Sequence, residues 1–185
     1  NLVVSSVGIP AANVLKGKFG TPFLVGTPVD GYVEKISDAL AEMAEKVPGE
    51  CRIGEEIPDL WKVTPDQVIY ISTESSQPDI TVIGEPVTMG SLAAAIEYKY
   101  EKKVQLLCPL EITEGLLREG DQAIRGEESI EERLKTAKII IADPLYRPIC
   151  PETARFYELP HIAFSGRIYL RKIKEMYAHN LIKTT

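Results

Sequence analysis

Three short runs rich in branched apolar residues constrain this chain most: Ile80-Thr81-Val82-Ile83-Gly84, Val104 to Cys108, and Lys138-Ile139-Ile140-Ile141-Ala142. Each has the length of a strand, and the first two lead on to stretches with helical spacing, while the third ends at Asp143-Pro144. That alternation is the signature of βα units feeding a parallel sheet, so the expected class is α/β. A chain of 185 residues buries roughly 70% of the area its unfolded form exposes, enough for one domain or two small ones.

The N-terminal third shows the same alternation in a weaker form. Leu2 to Ser5 reads as a strand, Pro10 to Phe19 as a helix stopped by Gly20 and Pro22, and Pro22 to Gly26 as a second strand. Val29, Val33, Ile36, Leu40, Met43 and Val47 then recur at spacings of four and three, one face of a helix closed by Pro48-Gly49. From Glu50 to Pro78 the periodicity is lost, and the segment reads as a connection with one extended piece at 67–72. After Ile80 to Gly84, a helix within Val87 to Tyr100 turns Leu92, Ala95 and Ile96 inward. Ser129 and Glu132 have the spacing of a capping box opening a helix with Ile130, Leu134 and Ala137 inward. Arg155 to Leu159 is a fourth strand of this unit, and a closing helix runs from Gly166 to Leu181. The division expected is 1–49, a connection at 50–78, and a domain at 79–185.

Charge and cysteines narrow the function classes. Acidic residues outnumber basic ones 27 to 21, and the basic residues are scattered, so a phosphate-tracking nucleic-acid surface is not expected. No run reaches the ~20 apolar residues of a membrane span, and the chain opens with no secretion signal. It is expected to be soluble and cytoplasmic. Because it enters an apolar run at its second residue without a starting Met, it also reads as a fragment cut into a fold. Cys51, Cys108 and Cys150 are too far apart for a self-contained metal site or a disulfide framework, and they read as small buried hydrophobes. Of the three, Cys150 alone lies near a plausible cleft. The Gly26 to Gly31 segment has P-loop glycine spacing, but Tyr32-Val33 stands where Lys and Ser/Thr are needed; no G-x-G-x-x-G occurs, and Ser165-Gly166 lacks a G-x-S-x-G frame.

In an open parallel sheet, ligands bind outside the carboxyl ends of strands where the strand order reverses. With order 2-1-3-4 for the second unit, that crevice falls between Gly84-Glu85-Pro86 and Asp143-Pro144. Three loops converge on it, bringing Glu85, then Asp143, Tyr146 and Arg147, then His161, Ser165, Gly166 and Arg167. Each has an ordinary reading beside the functional one. Glu85-Pro86 and Asp143-Pro144 are also common turn dipeptides, Arg147 can simply pair with a carboxylate, and Ser165-Gly166 can cap the last helix or serve an anion. His161 is a structural residue or a ligand; His179, late in the last helix, suits the helix dipole.

These segments resemble a known family. Asn1-Leu2-Val3-Val4-Ser5-Ser6 followed by Lys18-Phe19-Gly20-Thr21-Pro22-Phe23 resembles the central domain of nitrogenase component 1 proteins. Ile83-Gly84-Glu85-Pro86, Ala142-Asp143-Pro144-Leu145-Tyr146-Arg147-Pro148 and Leu159-Pro160-His161-Ile162-Ala163-Phe164-Ser165-Gly166-Arg167 resemble the last domain of nitrogenase-like oxidoreductases, so the match runs over nearly the whole chain. The resemblance implies Rossmann-like domains: the end of a second domain at 1–49 and a third at 79–185. It implies an oxidoreductase subunit that pairs with a second component 1 type subunit, and an ATP-dependent iron–sulfur reductase as electron donor. An iron–sulfur or related metallocofactor belongs to the full-length protein, with none expected on this fragment alone. His161 with Ser165-Gly166 resembles the element that presents a histidine to the nitrogenase cofactor, one residue shorter here, which makes His161 the metal contact. Where that family carries a cofactor cysteine, this chain has Val4-Ser5-Ser6. Serine replaces a soft thiolate poorly, which argues for a different substrate or for the non-cofactor subunit of a pair. The alternative is a non-redox binding module clamping a metal chelate or tetrapyrrole between two α/β lobes.

Overall fold

The structure, a computed structural model, describes residues 1–46, 62–69, 78–112, 115–161 and 164–169. Val47, Cys51, His179, most of the 50–78 connection and the closing helix beyond Tyr169 lie outside these residues. Two parallel sheets organise the rest. β1 (Leu2–Val3) pairs with β2 (Leu24–Val25), and Val68 bridges to Val25, so the extended piece expected near residue 67 adds to this small sheet. The main sheet runs in the order β5-β4-β3-β6-β7, from β3 (Ile80–Ile83), β4 (Val104–Cys108), β5 (Gln122–Ala123), β6 (Ile139–Ala142) and β7 (Arg155–Glu158), all parallel.

The order of β4, β3, β6 and β7 is the expected 2-1-3-4. The added edge strand β5 is the difference. With two residues, neither fully buried, it has no apolar run to announce it. Every connection through β5 leads away from β3 on one side and then returns to β6 on the other. The strand order therefore reverses between β3 and β6.

Successive residues of a strand face opposite ways, which sorts the core into two layers. Leu106 and Ile141 face α3 (Pro86–Tyr100), while their neighbours Leu107, Ile140 and Ala142 face α4 (Glu127–Leu134) through Ile130 and Leu134. α3 departs from the expectation of one inner face: all twelve residues from Pro86 to Glu97 are buried. On its far side sit β1, β2, α1 (Ile9–Phe19) and α2 (Val33–Glu45), so Val87 packs with Val3, Ile9, Phe23 and Val25. Ser91 Oγ accepts the Thr27 N–H at 2.8 Å, and Lys99 pairs with Asp30 at 3.1 Å. Gly90, Ser91 and Ala93 to Ala95 supply the small side chains that let other elements approach this helix from every side.

Two local expectations are corrected. The Ser129/Glu132 capping box does not form: α4 opens at Gly126, with no side-chain cap, and Ser129 is already its third residue. Glu127 and Glu128 in the first turn complement the helix dipole there. In α2, Val33 is 49% exposed because the chain enters the helix with the Tyr32 ring turned into the core instead. Ile36 is buried as expected, and Val29 is buried from the preceding loop. Gly20 does end α1, in the left-handed region at φ 66°.

Candidate functional site at the β3/β6 edge

Glu85 follows β3 and Asp143 follows β6, the two adjacent strands between which the order reverses. Both carboxylates are buried, at 5% and 1% exposure, and both are taken up by hydrogen-bond donors of the chain itself. One Glu85 oxygen caps α3 by accepting the Thr88 N–H at 2.8 Å. The other accepts the Ser6 N–H at 2.8 Å, which fastens the turn after β1 to this edge. Gly84 bends the chain between strand and cap at φ 156°, where a Cβ would lie 2.8 Å from Met89 Cγ.

Asp143 binds three donors. Its Oδ1 accepts the Leu145 N–H at 3.0 Å, starting the 3-10 turn at Pro144–Ile149. Its Oδ2 accepts the His161 N–H at 2.8 Å and the Ser165 hydroxyl at 2.6 Å. Thus Ser165 clasps Asp143 rather than capping the last helix with its side chain. The loop after β7 is held against the loop after β6 by this one carboxylate. Phe164 sits edge-on between the Tyr146 ring at 6.1 Å and the His161 imidazole at 5.5 Å, which fixes the half-buried His161 ring against an aromatic wall.

Burial, with the Asp143 carboxylate adding to it, pushes the Tyr146 phenol up to about 12, so it stays a neutral donor. Arg147 is exposed and lies over the Phe156 ring at 5.1 Å, and among the described residues it makes no carboxylate pair. Burial raises the Cys150 thiol to about 11, and its Sγ donates to the Tyr146 carbonyl at 3.2 Å. Cys108, fully buried, is also raised by burial. Gly166 and Arg167 open α5 (Gly166–Tyr169) next to Ser165.

The predicted loops therefore do come together, and a fourth joins them, the turn at Ser6. Sequence reasoning missed Phe164, which orients His161, and Ser6, whose backbone meets Glu85. Among the described residues no group of three or more His, Cys, Asp or Glu is arranged to hold a metal ion. The donors at this edge are one imidazole, hydroxyls and committed carboxylates, and both described thiols keep their protons. Such a set fits a single imidazole contact to a group held mainly by other residues. It does not fit a self-contained iron–sulfur cluster.

No family model, no curated protein and no solved structure matches this chain.

Proposed function

We propose that this chain is part of a nitrogenase-like component 1 oxidoreductase subunit, and that its β3/β6 edge forms one wall of a metallocofactor or substrate cleft for ATP-dependent reduction. The observation that carries this reading is the convergence of four segments that bear the family resemblance: Ser5-Ser6, Gly84-Glu85-Pro86, Asp143 to Arg147, and His161 with Phe164-Ser165. Glu85 and Asp143 tie them to one edge through the 2.8 Å bonds from Ser6 and His161. His161 supplies the imidazole contact; a second component 1 type subunit completes the cleft, and an iron–sulfur reductase delivers electrons.

The test is an anaerobic titration of the full-length protein, together with its second subunit, with cobinamide, haem and a synthetic [4Fe–4S] thiolate cluster, followed by absorbance, for wild type, His161→Ala and His179→Ala. Binding that weakens at least tenfold in His161→Ala and is unchanged in His179→Ala supports the site. No saturable binding, or equal loss in both variants, overturns it. Adding the reductase and ATP to the full-length protein then divides redox enzyme from binding module. ATP-dependent reduction of the bound group supports the enzyme, whereas tight His161-dependent binding without reduction leaves the module that clamps a chelate or tetrapyrrole.

A further inference from the structure

β7 closes the main sheet on the side away from β5. Among the described residues it pairs with β6 alone, so its other edge is open. Arg155 and Leu159 donate their N–H groups toward β6, to the Lys138 and Ala142 carbonyls at 2.9 and 2.8 Å. Peptide groups alternate along a strand, so the N–H and C=O groups of Phe156 and Glu158 point the other way. Among the described residues nothing pairs with them. Proline and bulges are devices that ordinarily blunt an open strand, and neither interrupts Arg155 to Glu158.

A second copy can pair with this edge antiparallel about a two-fold axis normal to the sheet, which sets one residue opposite itself. One centre completes its hydrogen bonds within the strand. Centring on Phe156 sets Glu158 opposite Ala154, whose N–H already donates to the Pro151 carbonyl at 3.1 Å, and leaves that pair half made. Centring on Glu158 sets Phe156 opposite Pro160, which has no N–H to give. Centring on Tyr157 sets Phe156 opposite the second copy's Glu158, and each such pair exchanges both of its bonds. Charge favours the same register. Residues directly opposite share a face of the sheet, and the exposed Arg147 guanidinium lies over the Phe156 ring at 5.1 Å. The exposed Glu158 of the second copy, set beside that ring, therefore meets a cation, and symmetry repeats the contact.

We propose that β7 is a dimerisation edge. Two copies of this chain pair antiparallel through it, with Tyr157 on the axis, Phe156 and Glu158 exchanging backbone hydrogen bonds, and Arg147 of each copy meeting Glu158 of the other. The pairing does not depend on the function proposed for the β3/β6 edge.

Disulfide trapping in the full-length protein, with copper phenanthroline as oxidant, tests it. Tyr157→Cys puts two thiols across a non-hydrogen-bonded pair with Cα atoms about 4.5 Å apart, close enough for a disulfide. It should give a reducible intermolecular dimer. Phe156→Cys, which stands two residues along from its own copy, should give at least tenfold less. Arg147→Glu added to Tyr157→Cys should slow trapping at least tenfold by bringing like charges together, and a further Glu158→Arg should restore it, which separates a lost contact from a damaged fold. Glu158→Pro, with Tyr157 intact, removes an outward N–H and keeps the bonds to β6. It should abolish an association step that the wild-type protein shows in sedimentation velocity, and it decides the matter if Tyr157→Cys fails to fold. Trapping by Tyr157→Cys no greater than in the protein without the added cysteine, equal trapping by Phe156→Cys, or indifference to both Arg147→Glu and Glu158→Pro would each overturn the proposal.

Discussion

Asp143 serves three donors with two oxygens, and Ser165 is only one of them. Removing the carboxylate orphans two backbone N–H groups and a hydroxyl, so Asp143→Ala should cost about 3 kcal/mol, whereas Ser165→Ala leaves the other two bonds and should cost about 1 kcal/mol. Urea denaturation of the two variants checks the ordering; equal losses would mean that Asp143 is not the hub of these loops. Cys150 permits a chemical check. With its thiol raised to about 11 from 9.0, native Cys150 at pH 8 should alkylate with iodoacetamide about a hundredfold more slowly than an ordinary thiol, read peptide by peptide by mass spectrometry. The sign of the linked stability follows. Groups raised on folding contribute fully below their unfolded pKa and lose that contribution as pH rises through the folded one. Cys150 and Tyr146 therefore make the fold weaken across pH 9 to 12, not at acid pH. The strand-end carboxylates themselves were legible, because Glu-Pro and Asp-Pro after apolar runs mark strand ends. The destinations of their lone pairs were not, since the donors Ser6, His161 and Ser165 come from 79, 18 and 22 residues away.

Between elements, the least expected feature is a buried ion network on the far side of β4 from the candidate site's loops. Arg118 Nη1 donates to Glu97 of α3 at 2.7 Å, its Nε donates to Asp121 at 2.9 Å, and its Nη2 donates to the Val104 carbonyl at 2.9 Å; all three side chains are almost wholly buried. Burial alone would pull the guanidinium down, but the Asp121 and Glu97 carboxylates outweigh it and hold it above its usual range. The carboxylates also accept the β4 backbone N–H groups of Val104 and Leu106, so the network joins α3, β4 and the approach to β5. Arg118→Met would strand two buried carboxylates and should destabilise the chain by about 3–5 kcal/mol in denaturant titrations. A loss below 1 kcal/mol would show that water replaces the guanidinium and that the network is not a joint. β3, β4 and β6 could be read from the sequence because burial on both faces writes a continuous apolar run. β5 is stabilised from outside itself, by Asp121 and by β4, and a two-residue strand held that way leaves no periodic trace. The capping box failed for a related reason: S-x-x-E spacing is a local signal, and the turn at Gly126 had already started the helix.

Across the whole molecule, α3 is the shared core of both sheets. Val29, Tyr32 and Ile36 from the first 46 residues pack in one cluster with Val82, Leu92, Ile96, Leu106 and Ile141 of the main sheet's layer. The small residues of α3 were visible in the sequence, but small residues alone do not say how many faces of a helix are covered; only the packing of β1, β2, α1 and α2 on its far side does. Because that packing buries apolar surface from both halves at once, neither half keeps its core without the other. The chain should therefore unfold as one cooperative unit, with slowly exchanging amides of β2 and of β4 opening at the same free energy. A chain beginning at residue 78 would carry all five strands of the main sheet yet leave one side of α3 in water. It should keep far-ultraviolet helix signal, bind a hydrophobic dye and lose its sharp thermal transition. If that shorter chain instead melts as cooperatively as the full one and ignores the dye, α3 is not a joint between the halves, and the loop at Ser6 reaches the β3/β6 edge as a detachable cover rather than as part of its wall.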